Sequence, residues 1–290
     1  MPLPKASDWG GSRLTLAQTC KRKYFYGHLY NGKGLETQHV NTNIMFGVLV
    51  HLGLQYYYSQ MIGAEAFDSE KSAVAGIKSV LELLDEVLAD GESQKQLLKE
   101  EVIACLDQYF QKYPSTSDDL VPIEVEKCEA ITWPGMLLGN EHTVKLDLFA
   151  KWQGHEMVVD HKTTSLGWDL FFKQFKDDLS LKGYAYVKRK QTGKKVDVLI
   201  NGIRRKKNKA LECEFQRDVI SYTEKDMEEF EKTVIHIRKE IALCENENFY
   251  PKSGKQCVQV YGECEFRKLC TFDADDSMVK TFYREKEKGV

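Results

Sequence analysis

Two apolar segments of this 290-residue chain each carry an aspartate where a β-strand would normally carry valine or isoleucine. Asp147 lies within VKLDLFAKW, and Asp160 lies within EMVVDHKTT, two residues before Lys162. Because residues i and i+2 of a strand point to the same face, Asp160 and Lys162 project together. If the two segments pair as neighbouring strands, both carboxylates and the lysine converge on one spot.

Such a group of charges is costly to bury unless a partner offsets it, and a divalent cation is the usual partner. Hard oxygen ligands suit Mg²⁺ or Mn²⁺, which keep open positions for water and for substrate phosphate. The two segments therefore predict a metal-dependent phosphodiesterase site.

Composition sets the broad class. The 42% hydrophobic and 29% charged fractions are those of a globular protein with a sizeable core. No run of 18 apolar residues predicts a membrane span, and the N-terminus, MPLPKASDWGGSR, has no apolar signal region, so we expect a cytoplasmic protein. There the eight cysteines are not expected to form disulfides. With a net charge of −3, any DNA binding needs local basic patches.

The hydrophobic pattern predicts an α/β fold with a central mixed sheet flanked by helices. A helical part, 1–120, precedes a core, 121–222, and a C-terminal helix with a cysteine-rich segment, 223–290, all within one cooperative domain. The predicted helices are a short one in 12–30, then 47–61, 72–90, 94–112, 168–190 and 223–244. The predicted strands are 121–133, 141–152, 155–164, 195–205 and 211–221.

An acidic residue, a strand with Asp, a hairpin and then D-x-K together resemble the PD-(D/E)XK nuclease superfamily, whose core is restriction-endonuclease-like. The RecB-like branch adds a histidine after a glycine on an N-terminal helix, here His51 after Gly47. It also adds a carboxylate on the preceding strand, here Glu126, with Glu124 as the alternative.

The same branch carries Q-x-x-x-Y on the helix after D-x-K. Tyr184 takes the tyrosine position here, and Ser180 stands where the glutamine would be. This departure puts the role of the glutamine in question for this chain.

The resemblance implies that one or two metal ions are held by carboxylates, a histidine and a backbone carbonyl. Such an ion lowers the pKa of water near the phosphodiester. Lys162 then orients that water or stabilises the developing negative charge. A surface ion pair at Asp160 and Lys162 and a core role for His51 are the simpler alternatives. The implied metal ligands are Glu126, Asp147, Asp160, His51 and the carbonyl of His161.

Four cysteines bracket the core: Cys20 near the start, and Cys257, Cys264 and Cys270 near the end. This arrangement resembles the iron–sulfur nucleases of the RecB-like group, which include AddB-type subunits and CRISPR adaptation exonucleases. It implies a [4Fe–4S] cluster that clasps the two ends of the domain. Zinc and free thiols are the alternatives. The remaining cysteines are expected to pack in the core: Cys105, Cys128, Cys213 and Cys244.

Three basic segments are candidates for DNA contact, namely KRKYFY at 21–26, KRKQTGKK at 188–195 and IRRKKNK at 203–209. A basic groove with aromatic platforms is a common way to hold a single strand. No G-x4-G-K-[ST] motif is present, so ATP hydrolysis is not expected.

The resemblance therefore implies a Mg²⁺- or Mn²⁺-dependent DNA exonuclease that carries a [4Fe–4S] cluster and acts 5′ to 3′ on single strands or ends. It suggests a phage or prokaryotic protein that works with a helicase, a recombinase or a CRISPR integrase. Two alternatives remain: a catalytically silent DNA-binding or assembly module, and a restriction-type endonuclease.

Overall fold

The computed structural model describes residues 10–38, 41–63, 69–87, 92–133, 141–206, 211–259, 262–272 and 276–286. The helices are α1 Gly11–Thr19, α2 Lys21–Tyr24, α3 Thr42–Ser59, α4 Ser69–Val87, α5 Glu92–Lys112, α6 Trp168–Lys173, α7 Leu179–Thr192, α8 Glu224–Glu247, α9 Arg267–Thr271 and α10 Asp276–Phe282. The strands are β1 Leu35–Thr37, β2 Leu120–Thr132, β3 Glu141–Trp152, β4 His155–Thr164, β5 Asp197–Arg205, β6 Cys213–Ile220, β7 Val258–Gln259, β8 Gly262–Glu263 and β9 Tyr283–Glu285. A π-helix spans Phe25–Leu29, and short 3₁₀ turns span Tyr30–Gly32 and Gly254–Gln256.

The central sheet has the strand order β2-β3-β4-β5-β6. β4 is antiparallel to β3 but parallel to β5, and β5 is antiparallel to β6. Parallel neighbours need a crossover connection, which α6 and α7 supply between β4 and β5. The predicted α/β fold with a mixed sheet is therefore confirmed.

The chain divides into two compact units. The first unit comprises Met1–Val40, Glu129–Val144 and Thr223–Val290, and the second comprises Asn41–Cys128 and Lys145–Tyr222. The three-part division expected from the sequence, and its single cooperative domain, remain predictions.

The core of the second unit lies between one face of the sheet and the helices α3, α4 and α5. Leu148 and Val159 point into this core, together with residues of all three helices. Phe149, the next residue of β3, has the ammonium of Lys188 from α7 only 4.2 Å from its ring centroid. Because successive strand residues point to opposite faces, α7 lies across the sheet from α3, and helices flank both sides.

The segment 168–190, predicted as helical, is divided into two helices in the structure. α6 ends at Lys173, and α7 starts again at Leu179. The carboxylate of Asp178 accepts hydrogen bonds from the backbone N–H groups of Ser180 and Leu181, at 2.8 and 3.0 Å. This N-cap starts a new helix inside a sequence with continuous helical periodicity.

β2 contains a local kink of its backbone at Glu126. Glu126 has a φ of 50°, in the left-handed region that residues with a side chain rarely adopt. Lys127 and Cys128 are both exposed after it, and Glu129 is buried. The kink breaks the alternation of buried and exposed side chains along the strand. The predicted core position of Cys128 is therefore wrong. Cys105 and Cys244 are buried, and Cys213 packs against the core partly buried.

In the first unit, segments from the two ends of the chain meet. β1 pairs antiparallel with β9, with Glu36 opposite Arg284. Beside this pair, six side chains form a small core: Tyr26, Leu35, Phe266, Leu269, Val279 and Tyr283. Within the described parts of the chain, no helix is long and apolar enough to cross a membrane.

Candidate active site

The two strand aspartates lie where the β3–β4 ladder ends. The last paired residues are Leu148 and Val159, and Asp147 and Asp160 are the next residue of each strand. The backbone N–H of His161 donates to Oδ2 of Asp147 at 2.9 Å. A carboxylate thus takes the place of a strand partner, and the opening between the strands is lined by two acidic side chains.

Each aspartate has its own basic neighbour. Nζ of Lys162 lies 2.6 Å from Oδ2 of Asp160, whose side chain is only 2% exposed, whereas the lysine side chain is 37% exposed. Nδ1 of His51, on α3, lies 3.4 Å from Oδ2 of Asp147. The site therefore joins α3, β3 and β4 of the second unit and is open to solvent on the side of Lys162.

The structure separates the two candidate glutamates of β2. Glu126 is paired with Lys145, and its pKa is raised by burial and by the nearby Asp147. Glu124 instead pairs with Lys188 at 2.5 Å and with Lys127. The structure thus brings Glu126 to the aspartates, and two lysines neutralise Glu124.

Burial and charge set the ionisation of the aspartates. Burial, reinforced by Asp147, raises the pKa of Asp160 to about 6, although Lys162 opposes the change. Burial also acts on Asp147, but His51, His161 and Lys162 outweigh it and hold the pKa of Asp147 below its ordinary value. Burial tends to lower the pKa of Lys162, yet the two aspartates hold it above the usual range. The site therefore keeps a cationic lysine between two unlike carboxyl groups.

Tyr184 on α7 lies within electrostatic reach of this group. Burial, and then Asp160 and Asp147, raise the pKa of its hydroxyl well above the ordinary value. Ser180 lies in the first turn of the same helix, where its backbone N–H is taken by the cap residue Asp178.

Two buried oxygens of the site fit a metal ion. Oε2 of Glu126 and Oδ2 of Asp160 are buried, and each is in contact with a lysine ammonium, that of Lys145 and that of Lys162 respectively. Hard carboxylate oxygens of this kind suit Mg²⁺ or Mn²⁺. Among the described residues, no three His, Cys, Asp or Glu side chains are close enough to hold an ion as they stand. Binding therefore requires the lysine contacts to be exchanged for the ion.

Two participants were not anticipated from the sequence. Lys145, the partner of Glu126, lies two residues before Asp147, so the period of a strand could have placed it on the face of Asp147. Asn201 contacts the ring of His161, with Nδ2 2.7 Å from Nδ1. Its only signal is a polar residue within the apolar strand VLINGI.

The four cysteines assigned to a cluster all belong to the first unit. The backbone N–H of Cys264 donates to the carbonyl of Cys257 at 2.9 Å. Burial raises the pKa of the Cys264 and Cys270 thiols, and Cys20 adds to this in both. Cys20 thus acts electrostatically on Cys264 and Cys270, and Cys257 is hydrogen-bonded to Cys264 through the backbone, but among the described residues no three cysteines are close enough to hold an ion as they stand.

The basic segments are largely neutralised by neighbouring carboxylates. Arg204 pairs with Glu214 at 3.0 Å, and Arg205 pairs with Glu101 at 2.9 Å. The rest of the segment 203–209 beyond Lys206 lies outside the described residues. Further pairs neutralise the other two segments: Lys21–Glu240, Lys23–Glu265, Lys188–Glu124, Arg189–Asp197, Lys194–Glu156 and Lys195–Asp197.

Replacing Asp160 by Asn is expected to stabilise the metal-free protein. The folded-state pKa of about 6 lies above the ordinary value of 3.8, so the wild type loses stability as pH rises between these values. The Asn variant escapes this loss and gains about 1–3 kcal/mol above pH 6, since one pKa unit corresponds to about 1.4 kcal/mol. Urea unfolding in EDTA from pH 4 to pH 8 measures the difference.

Asp177→Asn is the matched control, because the Asp177 side chain is 90% exposed. An Asp160→Asn variant that is no more stable than wild type at pH 8 would show that the carboxylate is not strained by its burial.

Comparison with known proteins places this site in a family. The model of the PD-(D/E)XK nuclease superfamily matches residues 9–271. Among solved structures, a candidate exonuclease from Eubacterium rectale is 18% identical, with 97% of this chain and 90% of that chain covered and a TM-score of 0.49. The structure of SSO0001 is 13% identical, with 73% of this chain and 79% of that chain covered and a TM-score of 0.32. No curated protein matches. Since the family model spans most of the sequence, the chain belongs to the PD-(D/E)XK nuclease superfamily.

Proposed function

We propose that this protein is a divalent-metal-dependent deoxyribonuclease that hydrolyses phosphodiester bonds. The observation that carries the proposal is the meeting of Glu126, Asp147, Asp160, Lys162 and His51 around the end of the β3–β4 ladder. Membership of the nuclease superfamily supports the reaction class.

The residues that would hold Mg²⁺ or Mn²⁺ are the three carboxylates, with His51 and the backbone carbonyl of His161. The buried carboxylate oxygens of Glu126 and Asp160 support this assignment, because a divalent cation can take the place of the lysine ammonium beside each. When bound, the ion supplies Lewis-acid polarisation of the phosphodiester and lowers the pKa of water.

The protein side chains supply positioning and charge. In this proposal the ammonium of Lys162 stabilises negative charge that develops on the phosphate oxygens. Its raised pKa keeps it cationic, and its partial exposure lets it reach a substrate. Tyr184 lies close enough to Asp160 to contact the same substrate group, and its raised pKa keeps the hydroxyl protonated as a donor.

Lys162→Met is expected to lower the cleavage rate by about 100-fold, on the order of 3 kcal/mol, because a charge that acts in the transition state is lost. Metal binding should persist, since Met removes a competitor for Asp160. Single-turnover cleavage with Mn²⁺ and the Mn²⁺-induced rise in melting temperature measure the two effects. Lys151→Met, at an exposed position of β3, is the control. A Lys162→Met rate within threefold of wild type would contradict the role.

We further propose that the enzyme is an exonuclease directed to single strands or ends and acts 5′ to 3′; the likeness of its motifs to the RecB-like branch supports this. Linear single-stranded DNA should be degraded at least 50-fold faster than a circle of the same sequence. Label at the 5′ end should be released before label at the 3′ end. Equal cleavage of the circle would favour a restriction-type endonuclease instead, and cleavage of neither would favour a silent DNA-binding module.

We also propose a [4Fe–4S] cluster on Cys20, Cys257, Cys264 and Cys270, which would place the protein in the iron–sulfur branch. Four thiols suit such a cluster, and all four are partly accessible in the first unit. The mutual influence of Cys20, Cys264 and Cys270 supports their proximity.

Anaerobically purified protein should absorb broadly near 400 nm and contain about four irons per chain, as a cluster of this type requires. Cys264→Ser should lose most of the iron and the absorbance. Cys128→Ser is the control, because Cys128 is exposed and belongs to the second unit. A colourless protein with zinc or no metal would contradict the cluster but leave the nuclease site untouched.

A further inference from the structure

Behind His161, on the face of the sheet covered by α3 and α5, lies a group of buried polar side chains. It consists of Tyr58 on α3, Tyr109 on α5, Asn201 on β5, Arg217 on β6 and Asp118 just before β2. Asn201 and Tyr109 are fully buried, and the side chains of Arg217 and Asp118 are 7% and 3% exposed. All five belong to the second unit, as does the candidate active site.

The hydrogen bonds of this group have one consistent direction. Arg217 can only donate, and its Nε lies 3.3 Å from Oδ1 of Asn201, so the amide oxygen faces the arginine. The amide nitrogen then donates to the hydroxyl of Tyr109 at 2.8 Å and to Nδ1 of His161 at 2.7 Å. Nδ1 of His161 is therefore an acceptor, which places the ring proton on Nε2.

The far end of the group is anchored by an ion pair. Asp118 holds Arg217 through both carboxylate oxygens, at 2.5 and 2.7 Å. Nη2 of Arg217 also donates to the hydroxyl of Tyr109 at 3.2 Å. With both lone pairs of that hydroxyl used by Asn201 and Arg217, its hydrogen points to Tyr58, 2.7 Å away. The bidentate pair thus fixes Arg217, and through it the hydrogens of Asn201 and Tyr109.

The near end of the group reaches the site through His161. The imidazole ring is stacked on Tyr58, with centroids 5.7 Å apart and planes 7° from parallel. The backbone N–H of the same residue holds Asp147. The ring of His161 is therefore held by the buried polar group, while the backbone N–H of the same residue contacts Asp147 of the candidate active site.

We propose that Asn201 is a positioning residue for the metal site. By fixing the ring of His161, it sets the backbone that grips Asp147 and that presents a carbonyl to the ion. This inference rests on the proposed nuclease function. Removing Asn201 alone deprives its three buried partners of one hydrogen bond each and should lower stability, so the positioning role is judged by Mn²⁺ affinity and not by stability. Outer partners of metal ligands commonly affect metal affinity by 10- to 100-fold.

The test compares Asn201→Leu, which fills similar space without hydrogen bonds, with Val198→Ala, which loosens packing on the opposite face of the same strand. Mn²⁺ binding is measured directly by electron paramagnetic resonance, and cleavage of linear single-stranded DNA is measured across Mn²⁺ concentrations. Asn201→Leu should weaken Mn²⁺ binding and raise the half-saturating Mn²⁺ concentration at least tenfold, with KM for DNA within twofold. Val198→Ala should change Mn²⁺ binding less than twofold.

Tyr109→Phe removes the central hydroxyl and keeps the ring, so it serves as the second variant if Asn201→Leu does not fold. It is expected to weaken Mn²⁺ binding at least threefold. Wild-type Mn²⁺ affinity in the folded variants would overturn the positioning role and leave the proposed function standing. Equal losses in Val198→Ala would also overturn it, because the effect would then follow from packing. A wild type that neither binds Mn²⁺ nor cleaves DNA would overturn both proposals.

Discussion

Two carboxylates, one buried and one partly buried, lie where a pair of strands stops pairing, and the rest of the candidate site depends on them. Asp147 and Asp160 follow directly on the last paired residues of β3 and β4. If the ladder continued, strand hydrogen bonds would fill this space. Because it ends, the amide of His161 takes Asp147 as its acceptor, and Asp160 forms an ion pair with Lys162. A polar opening is thus created inside an otherwise apolar sheet.

Each carboxylate of the site lies beside its own basic side chain. Lys162, His51 and Lys145 play this part for Asp160, Asp147 and Glu126. The balance is incomplete at Asp160, whose raised pKa marks a charge that its surroundings disfavour. A carboxyl group with a strongly shifted pKa inside a well-packed fold is typical of functional sites. A cation of higher charge, shared between the carboxylates, relieves this imbalance better than separate lysine ammonium groups.

Much of this arrangement follows from sequence periodicity, because strands repeat every two residues and Asp160 and Lys162 must then share a face. The central strands are buried between helices and consist of strongly apolar residues, which makes their positions predictable. Prediction from the sequence failed where tertiary contacts override the local hydrophobic pattern. The start of α7 depends on a capping bond from Asp178, and the exposure of Cys128 depends on the φ of Glu126. The pairing of basic segments with distant acids, such as Arg205 with Glu101, has no local signal at all.

The same limit applies to the joining of the chain ends. From sequence, a cluster on Cys20 and the C-terminal cysteines was expected to act as the clasp, since closing a loop of more than 200 residues costs about 5 kcal/mol of chain entropy. In the structure, β1 pairs with β9, and an aromatic core around Phe266 and Tyr283 joins the same segments. That loop is therefore closed by apolar packing and strand pairing whether or not iron binds. The clasp that the sequence assigned to a cluster is therefore already supplied by side-chain packing and strand pairing within the first unit.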